Sequence, residues 1–267
     1  MIKLIATDLD GTLINDKGII CEKIFNLINI LYKKDIKFVA ASGRFYSQLV
    51  NNFDKADKNM IFIAHNGAII KYNKDGQTLY SSIISKEDIE SVKNLKLQFQ
   101  EELFLAGESK AYTVKPSNNL LERFNYFKVE SEKVKCFNEV EEPIYKLTYY
   151  CHRKVRKETL EYLEENLSPN LEFVVSGDCW IDIMNKGVSK GNAIKILQEK
   201  FNISEKNTMV FGDYYNDIAM FKKAYYSYAM ENAPEDVKQN ANFIAESNNN
   251  NGVYNVINDY INKLQIV

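Results

Sequence analysis

Short apolar runs that end abruptly in polar residues recur along the chain, a pattern typical of strands buried in a parallel sheet. The pattern predicts strands at residues 2–7, 37–41 and 209–212, which lead into Asp8, Ser42 and Asp213. Between the first two strands, residues 22–34 place apolar side chains at helical spacing. A strand, a helix and a strand in this order predict a βαβ unit and an α/β fold.

The polar residues that follow these strands are predicted to meet in space. Ligands of open parallel sheets bind at the carboxyl ends of the strands, so residues far apart in sequence can share one crevice. A further apolar run, residues 60–64, ends at His65-Asn66-Gly67 and adds a fourth strand end. Because Asn-Gly is also a common tight-turn sequence, a binding role and a turn role of Asn66 carry equal weight.

The alternation of strand and helix changes character after the fourth strand. Residues 68–84 predict a β-hairpin that turns at Lys74-Asp75-Gly76. Ser85, with Asp88 three residues on, resembles a capping box and predicts a helix that reaches about Gln100.

An inserted domain is predicted in the middle of the chain. Further strands are expected at residues 103–106, 111–114, 144–150, 171–175 and 180–184, and helices at 117–126 and 153–166. The last part resumes with a helix at residues 189–201 and closes with one at 253–264, after an asparagine run at 248–251 that is expected to be a solvated loop. We therefore predict a Rossmann-like parallel-sheet core at residues 1–84 and 183–267, and an inserted α/β cap at residues 85–182.

Composition and charge fit a globular protein that binds a small ligand. The chain of 267 residues is 45% hydrophobic and 26% charged, and its formal charge of −2 argues against bulk binding of nucleic acid. The cysteines, Cys21, Cys136, Cys151 and Cys179, show no CxxC spacing, which favours reduced thiols over a disulfide framework or a zinc site. No apolar stretch approaches the length of a membrane span, and the N-terminal residues do not resemble a signal peptide. We expect a cytoplasmic monomer or small homo-oligomer.

The first chemical motif is Asp8-Leu9-Asp10-Gly11-Thr12, which places two carboxylates at the end of a buried strand. Paired acids in one crevice are costly unless a cation compensates them. Mg²⁺ prefers oxygen ligands and binds through one or two carboxylates together with phosphate. The alternative interpretation is a simple turn, for which Asp-Gly is common, and this motif alone favours neither.

The second motif is Ser42-Gly43-Arg44, between a strand and a predicted helix. A hydroxyl and free backbone N–H groups at this position can bind an anion, and glycine allows a close approach. On its own, a helix cap is the more common explanation of such a serine.

The third and fourth motifs add a cation and further acids. Lys190 lies in the first turn of a predicted helix, where a cation is unfavourable to the helix dipole, although an exposed lysine is the default interpretation. Asp213 and Asp217 follow another buried strand, in the sequence Gly-Asp-Tyr-Tyr-Asn-Asp. Four carboxylates in one crevice would repel each other strongly without a divalent metal and a balancing lysine.

Together, the ordered set of Asp8 and Asp10, Ser42, Lys190, and Asp213 and Asp217 resembles the four motifs of the haloacid dehalogenase superfamily. The place of the insertion, before Lys190, resembles the Cof-type subgroup with its large α/β cap. Residues 66–68 and 229–233 also match that subgroup. One departure is Tyr214-Tyr215, where many relatives have Gly and a small or apolar residue; the phenol of Tyr214 is expected to narrow the entrance.

The resemblance implies a role for each matching residue. Asp8 would be the nucleophile and Asp10 the general acid and base. Asp8, the backbone carbonyl of Asp10, and Asp213 would hold Mg²⁺, and Asp217 would support this set. The phosphoryl group would be bound by Ser42, Gly43 and Lys190, with Asn216 as a further contact and Arg44 and Asn66 as candidates for substrate or phosphate contact.

The leading functional hypothesis is a phosphatase that acts on a small phosphorylated metabolite, with sugar phosphates favoured by the resemblance. A phosphotransferase or mutase, and a non-catalytic phosphate-ligand sensor, are the alternatives. Candidates for substrate contact in the cap are Tyr145, Lys146, Tyr149, Trp180 and Asp182. Aromatic residues at strand spacing more often belong to the core, so these five stay outside the predicted site.

Overall fold

The computed structural model of the protein describes residues 1–74, 76–97 and 99–265, so Asp75 of the predicted hairpin turn lies outside the described residues. The strands are β1 (Leu4–Thr7), β2 (Lys37–Ala41), β3 (Ile61–Ala64), β4 (Ile69–Tyr72), β5 (Thr78–Ser81), β6 (Glu102–Ala106), β7 (Lys110–Thr113), β8 (Glu130–Lys133), β9 (Lys146–Tyr150), β10 (Leu171–Val175), β11 (Trp180–Asn185), β12 (Thr208–Gly212), β13 (Tyr226–Met230) and β14 (Phe243–Ala245). The α-helices are α1 (Lys23–Lys33), α2 (Tyr46–Asn52), α3 (Lys86–Lys93), α4 (Asn118–Phe127), α5 (Lys157–Asn166), α6 (Lys190–Phe201), α7 (Ile218–Phe221), α8 (Glu235–Lys238) and α9 (Gly252–Gln265). Among the described residues, no helix combines the length and the apolar character that crossing a membrane requires.

The first sheet has the strand order β14-β13-β12-β1-β2-β3-β4-β5. Its strands run parallel from β14 to β3, while β4 and β5 continue the sheet as an antiparallel hairpin. Because β1 lies between β2 and β12, the three strand ends that the sequence predicted to meet are neighbours. The predicted α/β class with a Rossmann-like core is confirmed.

Helices cover both faces of this sheet. Along β1, Ile5 packs into a cluster that includes side chains of α1 and α9, and Leu4 and Ala6 pack into the opposite cluster with α6. Successive strand residues point to opposite faces, so a strand covered on both sides reads as a continuous apolar run. The polar residues that follow these strands therefore lie at the carboxyl edge of the sheet, where a crevice can form.

The second sheet has the order β10-β11-β9-β6-β7-β8 and is mainly antiparallel. One of its faces packs against α3 and α5, through Val92 and Leu163. Its other face packs against α4, where Phe104 meets Phe124. Most of this sheet lies within the segment predicted as the inserted cap, but the last three residues of β11, 183–185, lie beyond it. The domain limits at residues 84/85 and 182/183 remain a prediction.

Helix α3 is shorter than the sequence predicted. It ends at Lys93 instead of near Gln100, although its predicted N-cap forms, with the Ser85 side chain accepting a hydrogen bond from the Asp88 N–H. Beyond the helix, Leu95 and Leu97 both pack against the hydrophobic cluster of the second sheet. Two residues apart is the spacing of one face of an extended chain, and a helix would point these side chains in opposite directions.

The asparagine run also differs from its prediction as a solvated loop. Asn248 is buried, and its side chain donates hydrogen bonds to the Ile14 carbonyl and the Asp16 carboxylate, both at 3.0 Å. The Asn249 side chain donates to the same carboxylate at 2.8 Å. The run therefore fastens the loop that follows β1.

Candidate active site

Asp8 follows β1 directly and is the centre of the candidate site. Its backbone N–H donates to the Phe211 carbonyl at 3.0 Å, which continues the pairing of β1 with β12 by one residue. Its side chain is buried, and Lys190 at the start of α6 contacts it. The parallel sheet therefore delivers a carboxylate into an enclosed crevice.

Lys190, the first residue of α6, joins two of the predicted acids. Its Nζ lies 2.5 Å from Asp8 Oδ1 and 2.7 Å from Asp217 Oδ1, and its side chain is 1% exposed. The Ser189 hydroxyl caps α6 by accepting a hydrogen bond from the Asn192 N–H. A cation in the first turn is unfavourable to the helix dipole, and the carboxylates of Asp8 and Asp217 compensate Lys190 for this.

Asp8, Asp213 and Asp217 form an acidic cluster, in which one carboxylate oxygen from each lies within 4.8 Å of the others. The Thr12 hydroxyl donates to Asp213 at 2.7 Å. The backbone N–H groups of Asp213 and Tyr214 both donate to Asp217 Oδ2. These bonds fix the direction of the carboxylates.

The protein by itself does not balance the charge of this cluster. Burial and, to a smaller extent, the neighbouring Asp217 carboxylate together raise the pKa of Asp213 to about 7. Burial likewise raises the pKa of Asp8 above its ordinary value, and Lys190 only partly offsets this. Burial alone would lower the pKa of Lys190, but Asp217 and Asp8 raise it. One ammonium among three carboxylates leaves negative charge that fits a divalent cation with oxygen ligands.

Asp10 lies outside the acidic cluster. Its carboxylate is 56% exposed and forms a two-bond pair with Arg44, with Nη2 to Oδ1 at 2.6 Å and Nε to Oδ2 at 2.9 Å. The Asn52 side chain accepts a further bond from Arg44 at 3.0 Å. The sequence did not indicate this pairing between the first and second motifs.

The remaining predicted residues lie in the loops that follow β2, β3 and β12. The Ser42 hydroxyl accepts a hydrogen bond from the Arg44 N–H at 3.2 Å. The Asn216 side chain donates to Asn66 Oδ1 at 3.2 Å. Asn66 has φ 55°, in the left-handed region, as a turn at the Asn-Gly sequence requires, and its binding role stays a prediction.

A buried polar network joins the second sheet to these loops. Lys146 Nζ on β9 lies 3.0 Å from the Gly43 carbonyl and 3.0 Å from Asp182 Oδ1 on β11. Asp182 also accepts hydrogen bonds from Thr148 at 2.8 Å and from Asn66 at 3.0 Å. Lys146 and Asp182 stood outside the predicted site. A lysine and an aspartate within otherwise apolar strands were the signal that could have included them.

The other cap candidates divide between core and cavity. Tyr149 belongs to the hydrophobic cluster beneath the second sheet and donates to the Val92 carbonyl, and Tyr145 stacks on His65. Trp180 instead lines a cavity of about 670 Å³ that Asp8 and Ser42 also line. Tyr214 lines the same cavity, as expected for a residue near the entrance.

Comparisons with known proteins identify the family to which the chain belongs. Residues 5–257 match the family model described as haloacid dehalogenase-like hydrolase. The chain is 31% identical to the 5-amino-6-(5-phospho-D-ribitylamino)uracil phosphatase YbjI of Escherichia coli (strain K12), over 96% of this chain and 95% of the relative.

Solved structures show the same fold. SMU.1108c from Streptococcus mutans UA159 superposes with a TM-score of 0.88 at 36% identity, over 98% of this chain and 99% of that one. The subclass IIB sugar phosphatase BT4131 superposes with a TM-score of 0.79 at 21% identity, over 97% and 98% of the two chains. The chain belongs to the haloacid dehalogenase-like hydrolase family and is a phosphatase of its Cof type.

Proposed function

We propose that the protein hydrolyses small phosphate monoesters in a magnesium-dependent reaction that passes through a phosphorylated Asp8. The observation that carries this proposal is the meeting of Asp8 with Lys190, Asp213 and Asp217 at the ends of β1 and β12. A buried carboxylate held by a lysine beside a cation site has the setting of an activated nucleophile.

In the first step, a carboxylate oxygen of Asp8 forms a bond to phosphorus, and the ester P–O bond breaks. Asp10 donates its proton to the leaving alkoxide. The Lys190 ammonium, 2.5 Å from Asp8 Oδ1, stabilises the negative charge of the transferring phosphoryl group.

In the second step, a water oxygen attacks phosphorus while Asp10 takes the water proton. The bond between Asp8 and phosphorus breaks, which releases inorganic phosphate and restores the carboxylate. Because both oxygens of Asp10 pair with Arg44, we infer that Arg44 leaves Asp10 when the ester binds. Arg44 is then free to bind the phosphoryl group, as is expected of the motif that contains it.

Mg²⁺ would be held by Asp8, the backbone carbonyl of Asp10 and Asp213, with Asp217 supporting this set. A bound Mg²⁺ supplies positive charge that offsets both the carboxylates and the phosphoryl oxygens. Ser42, Gly43 and Asn216 would bind the phosphoryl oxygens beside it, and Asn66 would orient Asn216 through their hydrogen bond.

The substrate class is a small phosphorylated metabolite, with sugar phosphates and related esters as the first candidates. The compound in the printed name of YbjI, 5-amino-6-(5-phospho-D-ribitylamino)uracil, belongs in the same panel. We expect a cytoplasmic monomer or small homo-oligomer, with no nucleic-acid or membrane partner.

The decisive experiment compares phosphate release from this panel by the wild-type protein and Asp8→Asn, with Mg²⁺ and with a chelator. We expect Asp8→Asn to lose nearly all turnover, because the change is almost isosteric but removes the nucleophilic anion. Asp35→Asn is the matched control, since Asp35 is 81% exposed and pairs only with Lys3 among the described residues. Full activity of Asp8→Asn would refute the proposal.

Product analysis separates the alternatives. Inorganic phosphate formed in step with substrate loss supports hydrolysis, whereas a new phosphate ester identifies a phosphotransferase or mutase. A lack of turnover across the whole panel with Mg²⁺ present favours a phosphate-ligand sensor. Mg²⁺ should also raise the melting temperature of the wild-type protein and of Asp35→Asn, but not that of Asp213→Asn, because only the last lacks a proposed ligand.

A further inference from the structure

The cavity that Asp8 lines has two chemically different groups of lining residues. One group is polar and is proposed to bind phosphate: Asp8, Asp10, Ser42 and Arg44. The other group is aromatic, and ring contacts join its members into one surface, here called the ring wall: Phe104, Phe124, Phe127 and Trp180. A cavity of about 670 Å³ has room for much more than a phosphoryl group.

The ring wall has a buried base and an accessible rim. Phe104 and Phe124 are 4% and 3% exposed and pack edge to face, with ring centroids 5.1 Å apart. Trp180 lies 6.2 Å from Phe104 and 6.5 Å from Phe127, again with the rings nearly perpendicular. The base fixes the position of the rim, so Trp180 and Phe127 form a fixed apolar surface at the open side.

Two hydrogen-bond donors beside this wall have no partner in the part of the chain that the structure describes. They are the Trp180 indole N–H and the Arg123 guanidinium, neither of which donates a hydrogen bond to another described residue. Both residues line the cavity. An aromatic surface flanked by unused donors suits a planar ring that carries acceptor atoms.

We propose that the leaving group of the natural ester carries a planar nitrogen heterocycle that packs against the ring wall while its phosphate reaches Asp8. This inference rests on the proposed phosphatase function and narrows its substrate class. A small sugar phosphate has no planar ring to stack on these side chains, so it would bury less apolar area against them than a heterocycle does. A heterocycle stacks on such rings irrespective of its substituents and offers its acceptors to Arg123 and Trp180.

Uridine 5′-monophosphate and ribose 5-phosphate form a matched pair of test substrates, because they share the phosphorylated ribose and differ in the ring. Pyridoxal 5′-phosphate provides a second ring ester. We expect the wild-type protein to have a kcat/KM at least about tenfold higher for one of the ring esters than for ribose 5-phosphate. A preference for ribose 5-phosphate over both ring esters would overturn the inference and leave the phosphatase function intact, whereas failure to hydrolyse any ester would refute that function itself.

Substitution of the rim tests the wall directly. Trp180→Leu and Phe127→Leu should raise the KM for the preferred ring ester by about tenfold, with little change in kcat and no change for ribose 5-phosphate, while Trp180→Phe should retain most of the affinity. Phe243→Leu is the control, since Phe243 is 37% exposed and Phe127 is 38% exposed. An equal loss for both classes of ester would overturn the proposal.

Binding can also be observed without turnover. Trp180 is the single tryptophan of the chain, so the tryptophan fluorescence reports on the ring wall alone. In the Asp8→Asn variant, the preferred ring ester should change this fluorescence in a saturable way, and ribose 5-phosphate should not. The same response to both compounds, or to neither, would contradict a ring seated on Trp180.

Discussion

One cationic side chain, that of Lys190, offsets the negative charge of Asp8 and Asp217. Lys190 is buried between Asp8 and Asp217, and no other ammonium or guanidinium of the described residues pairs with either. Breaking a buried ion pair by removing one partner costs about 3–5 kcal/mol, because the remaining charge stays buried without compensation. Lys190 therefore stabilises the fold as well as the proposed reaction.

We predict that Lys190→Met abolishes phosphate release and lowers the free energy of unfolding by about 3 kcal/mol in a chelator. Chemical denaturation with and without Mg²⁺ measures this change. Adding Asp8→Asn to the variant should recover part of the lost stability, since it removes one of the unpaired charges. Lys186→Met, at an exposed lysine of the preceding loop, should change neither property. Unchanged stability of Lys190→Met would contradict the ion-pair account.

His65 presents the opposite case, a titratable group held neutral. Burial lowers its pKa from 6.5 to about 3, and the nearby Lys146 ammonium contributes. Phe45 packs edge-on to the ring at 4.9 Å and Tyr145 stacks on it. The unfolded chain binds a proton below pH 6.5 that the folded protein does not accept, so stability must fall as the pH drops below that value and level off near the lowered pKa.

We predict that His65 adds a slope of at most about 1.4 kcal/mol per pH unit to the loss of stability below pH 6.5. His65→Asn should remove this contribution, and asparagine tolerates the left-handed backbone at φ 49°. Urea denaturation of both proteins between pH 7 and pH 4.5 gives the two slopes. If the stability of both proteins falls equally steeply with decreasing pH, His65 does not contribute to the pH dependence of stability.

For individual residues, the sequence indicated which side chains follow the strand ends, but it did not indicate which of them pair with each other. Asp8, Lys190, Asp213 and Asp217 follow from their positions after strands and at a helix start, which backbone geometry determines. The Arg44–Asp10 pair does not, because side-chain pairing between two loops depends on rotamers that no sequence period encodes. The same reason hid the contact of Lys146 with the Gly43 carbonyl.

At the scale of elements, helix α6 matters most because it begins at Lys190. Its N-cap, Ser189, satisfies a backbone N–H that would otherwise lack a partner. Its start also lies against the loop after β3: a Cβ added to Gly67 would lie 2.5 Å from the Ser189 carbonyl oxygen. The position of Lys190 therefore depends on the Ser189 hydroxyl and on glycine at position 67, where a side chain would not fit.

We predict that Ser189→Ala lowers the free energy of unfolding by about 1 kcal/mol and also lowers kcat, because the first turn of α6 carries Lys190. Ser117→Ala is a matched control: Ser117 caps α4 by the same bond, to the Leu120 N–H at 3.1 Å, away from the acidic cluster. It should cost similar stability and leave kcat unchanged. Equal kcat values for the two variants would show that the cap of α6 does not position Lys190.

The elements that the sequence missed lack the pattern on which prediction rests. Strand β8 is exposed at every position and pairs with β7 along one edge, so it has no apolar alternation to detect. The short helices α7 and α8 are single turns, below the length at which periodicity is measurable. The sequence predicted β1 and β12 because a strand that is buried on both faces is a continuous run of apolar residues.

At the scale of the whole molecule, the buried network around Asp182 connects the two sheets. Lys146 and Asp182 are 8% and 2% exposed at their side chains. Lys146 reaches the Gly43 carbonyl, so the second sheet holds the loop that follows β2. The orientation of this loop, which contains Ser42, thus depends on a contact from the other sheet.

We predict that Lys146→Met lowers the free energy of unfolding by about 3 kcal/mol and reduces kcat, because Asp182 loses its cation and the Gly43 carbonyl its donor. Lys146→Met combined with Asp182→Asn should regain stability but not kcat. Lys154→Met, at a lysine whose side chain is 83% exposed, is the control and should match the wild-type protein. Full activity of the double variant would show that the network is only structural.

The course of β11 has a consequence for engineering. This strand contains Trp180 and Asp182, and only a short loop separates its end at Asn185 from Lys190. A chimaera could carry the cap segment of a relative, joined to this core within that loop. Such a chimaera would replace Trp180 of the ring wall and, at the same time, Asp182 of the network that connects the two sheets. A graft that keeps the native Asp182 and Lys146 while replacing only α4 and the rim of the cavity should alter selectivity and preserve the architecture around the nucleophile.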